Sequence, residues 1–353
     1  MASSTHNPPS PLPTTMRTAV LGEPRAITVE ERPVPSPAAG EVLIEVLAVG
    51  VCGSDIHYYE HGRIGDLVVR SPLVLGHEAS GRVVALGDGV RSLAVGDRVA
   101  LEPGVPCGAC RECRSGRYNL CPDVRFFATP PIDGTFAEFV TLPADFAHRV
   151  PDSLSDVEAA LIEPLSVGLW SNQKADVGPG DTVLVTGAGP IGLLALQVAK
   201  ARGAASVVVT DVVDTRLDVA SELGADDVVN VRTSEANLAD LAPSVLIECS
   251  GVPSSVAAGL RALRPAGRAV LVGMSADPDV SIPVATLQNR ELTLTGTFRY
   301  ANVYPAAIGM ARQRTVNLAR LGTHEFGLDD VEAALTASAA DPSVIKPIVR
   351  PGR

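Results

Sequence analysis

The feature that most restricts the fold is a glycine pattern set between a strand and a helix. Val183-Leu-Val-Thr186 reads as a buried strand, Gly187-Ala-Gly189-Pro190-Ile191-Gly192 follows, and a helix is expected over Pro190 to Arg202. Gly187 permits a tight turn, Gly189 lets the backbone approach a pyrophosphate, and Gly192 allows close packing of helix on strand. The free N–H groups at the start of such a helix favour phosphate. The pattern continues. Ser206-Val-Val-Val-Thr210, Val228-Val-Asn-Val231, Val245-Leu-Ile-Glu-Cys249 and Arg268-Ala-Val-Leu-Val-Gly273 are strands, and Leu292-Thr-Leu-Thr295 is a candidate sixth. Helices are expected over Thr215–Leu223, Glu235–Leu241 and Ser254–Leu263. Near-continuous apolar strands alternating with helices specify an α/β, doubly wound parallel sheet covered on both faces. An acid, Asp211, ends the second strand 19 residues past Gly192. Its carboxylate can take both hydroxyls of an adenosine ribose and repels a 2′-phosphate, which selects NAD over NADP. Arg216 could pair with Asp211 or lie along the adenine.

The rest of the chain has another texture. At 353 residues, and about 150 per domain, two domains are expected. Upstream of Val150 short strands are punctuated by Gly, Pro and Asp: Val42–Val49, Gly81–Leu86, Asp97–Leu101 and Ala137–Leu142, the spacing of a barrel-like β unit. Ser155 to Lys174 reads as one helix capped by Ser155 with Glu158 three residues on. Helices over Val303–Gln313 and Leu328–Ala339 and a strand over Ile345–Arg350 end the chain. This last part is expected to return to the β unit, which is then discontinuous. Residues 1–15, with Pro8, Pro9, Pro11 and Pro13, are expected to be a disordered tail without the pattern of a signal peptide. The net charge of −11 and the 4% aromatic content disfavour nucleic acid and anionic membranes as partners. No apolar run reaches the ~18–20 residues of a membrane span. Arginine outnumbers lysine 26 to 3, which reads as coding bias.

Six cysteines sharpen the reading. Cys107, Cys110, Cys113 and Cys121 fall in 15 residues. Three of them are too crowded to pair with one another, and four sulfurs close a tetrahedral shell. A structural zinc in a reducing, cytoplasmic setting is expected. A second set is dispersed: Cys52-Gly-Ser54-Asp55-Ile-His57, then Gly76-His77-Glu78, then Glu163 in the linker helix. A catalytic zinc takes about three protein ligands and keeps one open position. Any one of these residues alone could be core filler, but together with a nucleotide fold they point to a metal-assisted redox site. Cys249 reads as a buried strand residue.

On these residues the chain resembles the zinc-containing medium-chain alcohol dehydrogenase superfamily, most closely its sorbitol (L-iditol)/xylitol dehydrogenase branch. The resemblance is carried by Cys52-Gly-Ser-Asp-Ile-His-Tyr58, His61-Gly-Arg-Ile-Gly65, Gly76-His-Glu-Ala-Ser-Gly81, Gly116-Arg-Tyr-Asn-Leu120, Ala128-Thr-Pro-Pro131, Glu163-Pro-Leu-Ser-Val-Gly168 and Phe298-Arg-Tyr300, and it covers about Met16 to Arg350. It implies a Rossmann sheet (165–298) inserted in a discontinuous GroES-like catalytic domain (16–164 and 299–353). It implies two zincs per chain. One is held by Cys52, His77 and Glu78, with Glu163 bound directly or through water, and with Asp55 orienting the histidine.

The resemblance further implies oxidation of a polyol secondary alcohol, such as sorbitol, xylitol or L-iditol, to a ketose by NAD. Ser54 and His57 would relay the proton. Tyr58, Phe126, Thr129, Glu163, Arg299 and Tyr300 would line the substrate pocket. Val272, Gly273, Met274, Thr297, Phe298 and Arg299 would meet the nicotinamide half. A homotetramer is implied, and Ile191 would pack on the cofactor. The competing readings are a zinc dehydrogenase acting on threonine, butanediol or simple alcohols, and a non-catalytic nucleotide-binding descendant.

Overall fold

The computed structural model describes residues 12–275, 277 and 279–353. The expected tail lies outside these residues up to Pro11. Thr15 does not belong to it: it opens the strand Thr15–Glu23 and pairs with Pro33.

Six parallel strands form one sheet. Their order across it is Asp227–Asn230, Ser206–Asp211, Thr182–Thr186, Val245–Glu248, Arg268–Leu271, Thr293–Gly296. In chain order this is 3-2-1-4-5-6, the doubly wound arrangement, which opens a ligand crevice where the order reverses. The strands are Val/Leu/Ile-rich because both faces are covered. Val183, Leu184, Val185, Val207, Val209, Leu246, Ile247 and Val270 are all buried. The helix Pro190–Ala201 buries Leu193, Leu194, Leu196 and Val198. It packs against Ile162–Lys174, where Gly168 admits close approach: a Cβ there would lie 3.1 Å from Leu194.

A seven-stranded sheet carries the rest of the chain. Its order is Ala147–Arg149, Arg98–Leu101, Glu78–Leu86, Glu41–Gly50, Lys346–Arg350, Gly322–Gly327, with Phe139–Pro143 also pairing Glu41–Gly50. Residues near the C-terminus thus complete a sheet begun near the N-terminus. Val42, Ile44, Val49, Val83, Leu101 and Val349 share its core.

The linker departs from expectation. Ser155 does cap a helix: its hydroxyl accepts from Glu158 N, and Glu158 Oε2 accepts from Ser155 N at 2.8 Å. That helix is only Asp156–Ala160, and a second runs Ile162–Lys174. Pro164 explains the break. It has no N–H to give Ala160, and its ring is tolerated only in the first turn of a helix, so the chain restarts at Ile162. The helix expected over 235–241 is a single 3₁₀ turn, Leu238–Leu241, ended by Ala242 in left-handed backbone ahead of Pro243.

The glycine turn has little slack. Gly187 has φ +91°, and a Cβ on Gly192 would stand 1.8 Å from Gly187 O. Gly192→Ala should therefore destabilise by about 2–3 kcal/mol, with the loss read in thermal or urea unfolding. Wild-type stability in that variant would show that the turn can open, against this account.

Candidate functional site

Cys52 ends the loop before the helix Gly53–His61 and serves as its N-cap. Gly76, at φ +84°, turns the chain into the strand Glu78–Leu86, so that His77 and Glu78 stand at the strand's start. Glu78 pairs with Gly50, the last residue of Glu41–Gly50. A Cβ on Gly50 would lie 2.2 Å from Glu78 Oε2, so only glycine leaves the carboxylate room. One donor atom each from Cys52, His77 and Glu78 then fall within 4.8 Å of one another.

Asp55 ties these segments together. Its Oδ2 accepts from Cys52 N at 2.9 Å, its Oδ1 accepts from Gly76 N at 2.9 Å, and Oδ1 lies 3.5 Å from His77 Nδ1. That leaves His77 Nε2 as the nitrogen free to ligate. Burial opposes the Asp55 charge, but His77 and the two amides outweigh it and hold the carboxyl below its ordinary range. Sequence reasoning missed Lys346. It is buried, and its Nζ donates to Glu78 Oε1 at 2.7 Å and to Val51 O at 2.9 Å. Glu78 Oε2 is buried without a hydrogen-bond partner. An orphaned carboxylate oxygen beside a thiol and an imidazole is a donor set that fits zinc.

Glu163 lies outside that converging trio. It is buried, and its Oε1 accepts from Tyr300 Oη at 2.7 Å. Burial, helped by the Glu78 carboxylate and opposed by His77, pushes its carboxyl up to about 7. Tyr58 is buried, and burial pushes its phenol up to about 12. The guanidinium of Arg299 lies 3.8 Å over the Phe126 ring and 4.7 Å from that of Phe298. Burial lowers it to about 10, and its Nη1 is buried without a partner. Phe126 also faces the His77 ring at 5.6 Å, so this arginine lies one ring away from the candidate metal ligands. Thr129 closes a tight turn, its N donating to Phe126 O. Ser54 and His57 are half-buried neighbours three apart on one helix, and among the described residues no hydrogen bond joins them.

At the other candidate centre the four cysteines are free, with their sulfurs within 4.8 Å of one another. Cys110 and Cys113 sulfurs are 3.3 Å apart, far from the ~2.05 Å of a disulfide. The amides of Ala109 and Cys110 pull the Cys107 thiol down to about 7, toward the thiolate that a metal takes.

The nucleotide residues gather at the carboxyl ends of the parallel strands. Gly189 caps the helix Pro190–Ala201, and a Cβ there would meet nothing within 4 Å, which leaves space for a ligand. Pro190 and Ile191 follow it, half-buried. Asp211 Oδ2 accepts from Ala188 N at 2.6 Å, while Oδ1 accepts from Val212 N and Val213 N. The acid is thereby fixed against the glycine turn. Arg216 makes no ion pair with it among the described residues, and its Nε is buried without a partner. Val272, Gly273 and Met274 follow the strand Arg268–Leu271, and Thr297 N donates to Leu271 O at 3.0 Å. Met274 and Phe298 are exposed.

Comparison with known proteins adds independent findings. The alcohol dehydrogenase GroES-like domain matches residues 38–152, and the zinc-binding dehydrogenase domain matches 190–313. Sorbitol dehydrogenase of Bacillus subtilis (strain 168) is 42% identical over 330 residues, 92% of this chain and 94% of that protein. Sorbitol dehydrogenase of Bos taurus is 46% identical over 327 residues, 90% of this chain and 92% of that protein. Among solved structures, a short chain alcohol dehydrogenase from E. coli CFT073, complexed with cofactor NADH, superposes with a TM-score of 0.89 at 32% identity, over 96% of this chain and 100% of that one. A candidate zinc-binding dehydrogenase from Sinorhizobium meliloti 1021 bound to NADP does so with a TM-score of 0.90 at 30% identity, over 96% and 100%.

The Glu163 geometry has a consequence for stability. Between the ordinary 4.5 and about 7 the folded, metal-free chain holds a proton on Glu163 that the unfolded chain has released. Its contribution is therefore lost as pH rises through that window. Relative to Glu163→Gln, metal-free wild type should lose up to about 3 kcal/mol from about pH 5 to 7 in urea titrations. Parallel profiles for the two proteins would remove the assignment.

Proposed function

The chain belongs to the zinc-binding medium-chain alcohol dehydrogenase family, in its sorbitol dehydrogenase branch, and from that premise we propose that it oxidises a secondary alcohol of a polyol such as sorbitol, xylitol or L-iditol to the ketose, with NAD as acceptor. The observation that carries this reading is the polar group beside the three metal donors. Glu163 and Tyr300 are joined by a buried hydrogen bond, and Arg299, whose Nη1 is buried without a partner, lies within electrostatic reach of both and of Tyr58. Buried polar groups left unpaired favour a ligand that brings hydroxyls and disfavour one without them.

Cys52, His77 and Glu78 would hold the catalytic zinc, and the four-cysteine lobe a second, structural one. When bound, zinc acidifies an alcohol hydroxyl and the nicotinamide accepts hydride. The chain's own residues do the rest. Asp55 keeps His77 Nε2 turned to the metal position. Lys346 occupies one oxygen of Glu78 and leaves the other as ligand. Glu163 accepts from a polyol hydroxyl or an ordered water, and Arg299 donates to a hydroxyl further along. Ser54 Oγ accepts the released proton as it gives up its own, which ordered water carries to His57 and on to solvent, since no hydrogen bond joins the two side chains directly. Gly187, Gly189 and the helix they open take the pyrophosphate, and Asp211 takes the adenosine ribose and repels a 2′-phosphate. In this reading residues 16–164 and 299–353 are the catalytic unit and 165–298 the nucleotide unit. The enzyme works in the cytoplasm as a homotetramer.

A panel of sorbitol, xylitol, L-iditol, threonine, butanediol and propan-2-ol, followed by reduced cofactor, tests the substrate class. Polyols should lead, with two zincs per chain by metal analysis. Turnover of threonine or propan-2-ol without response to any polyol would overturn the reading, and one zinc or none would overturn the two-metal part. Asp211→Ser should raise the NADP/NAD ratio of kcat/KM about tenfold or more. An unmoved ratio would take cofactor choice away from Asp211.

A further inference from the structure

Three hydrogen bonds from the cysteine lobe end on one short segment at the substrate side, residues 298–302. Asn119 Nδ2 donates to Phe298 O at 2.8 Å. Asn302 Nδ2 donates to Gly116 O at 2.8 Å, and Asn302 N donates to Tyr118 Oη at 2.9 Å. The Tyr118 hydroxyl then donates to Glu102 Oε1 at 2.5 Å, and Glu102 Oε2 lies 2.7 Å from His148 Nε2. Glu102 is buried and directly follows the strand Arg98–Leu101. The tyrosine is thus anchored on the seven-stranded sheet while it grips the segment.

That segment needs a grip. Arg299 has φ +54° and Asn302 φ +59°, and neither is glycine. Asparagine visits the left-handed region readily, but an arginine stays there only where its surroundings over-determine it. Between these two stands Tyr300, which holds Glu163, and Arg299 itself reaches over Phe126. A small cavity lined by Glu102, Tyr118, Asn119, Phe126, Arg299 and Tyr300 shows that lobe and pocket residues enclose one space.

We propose that Tyr118, Asn119 and Asn302 form a clamp through which the cysteine lobe fixes Arg299 and Tyr300 for polyol recognition. The lobe is then a specificity element as well as a stabilising one. The inference rests on the reading of Arg299 and Tyr300 as substrate-binding residues given above. The three clamp residues are positioning residues. They act on hydroxyls bound alike in the ground state and the transition state, so their loss falls on polyol KM before it falls on turnover.

The test uses the metal-loaded enzyme with sorbitol or xylitol and NAD. Tyr118→Phe deletes two bonds, the one accepted from Asn302 N and the one donated to Glu102, and Asn119→Ala deletes one. Asn302→Gly deletes the bond to Gly116 at an exposed position where glycine accepts the backbone conformation. Each should raise polyol KM about tenfold while kcat and the KM for NAD stay within about twofold. In Tyr118→Phe the Asn302 amide loses its acceptor, so hydrogen exchange in peptides spanning 298–302 should quicken. Arg299→Ala is the reference. If it raises polyol KM and the three clamp variants do not, the clamp falls and the substrate reading stands. If Arg299→Ala leaves polyol KM unchanged, the substrate reading falls and takes the clamp with it. Clamp variants that lose kcat, NAD affinity and Tm together would show a purely structural contact and overturn the proposal.

Discussion

The candidate metal centre hangs on one buried carboxylate. Asp55 accepts the amides of Cys52 and Gly76 and faces the ring of His77. These belong to a helix start and a strand start that are separate in the chain, and the carboxylate is what joins them. A buried charge is costly unless fully paired, and this one is paired on every side the structure describes. Lys346 performs the same office for Glu78, from a third segment. Neither residue need touch substrate, yet the geometry of all three donors depends on them.

Both sheets contribute residues to the candidate site. The parallel sheet presents its glycine turn, Asp211 and the residues after Leu271 at its carboxyl edge. The seven-stranded sheet presents Cys52, His77 and Glu78. The segment that follows Thr293–Gly296 leaves the nucleotide sheet and within a few residues becomes Arg299 and Tyr300. The last parallel strand therefore leads within a few residues to the two side chains proposed to read the substrate. Gly187 and Gly192 set the corresponding limit at the phosphate end.

Much of this was legible in the chain because it is local. The glycine turn, the acid after the second strand, the four-cysteine spacing and the buried parallel strands each span fewer than about thirty residues, the reach of a single supersecondary unit. What escaped is long-range or depends on backbone detail. The break at Leu161 follows from Pro164, a signal that was present but overridden by the helical pattern on both sides. That Glu78 and not Glu163 converges with Cys52 and His77 depends on its register against Gly50, which no spacing encodes. Lys346 meets Glu78 across 268 residues. It did leave a trace: in a chain with 26 arginines and 3 lysines, a lysine at a buried strand position is not explained by coding bias. An ammonium can point its protons at one carboxylate oxygen and one carbonyl, whereas a guanidinium fork needs more room.

The placement of Lys346–Arg350 beside Glu41–Gly50 also bears on biosynthesis. Every strand of the parallel sheet lies between residues 182 and 296, so that unit has its full complement while the chain is still being made. The other sheet has most of its strands by Arg149 but lacks the one that carries Lys346 until the chain has passed the whole parallel sheet. Until then Glu78 lacks the lysine that pairs with it in the folded chain. The candidate metal centre thus gains its lysine only after the parallel sheet has all its strands. A chain made only as far as Gly296 therefore has every strand of the nucleotide sheet but not the lysine that pairs with Glu78.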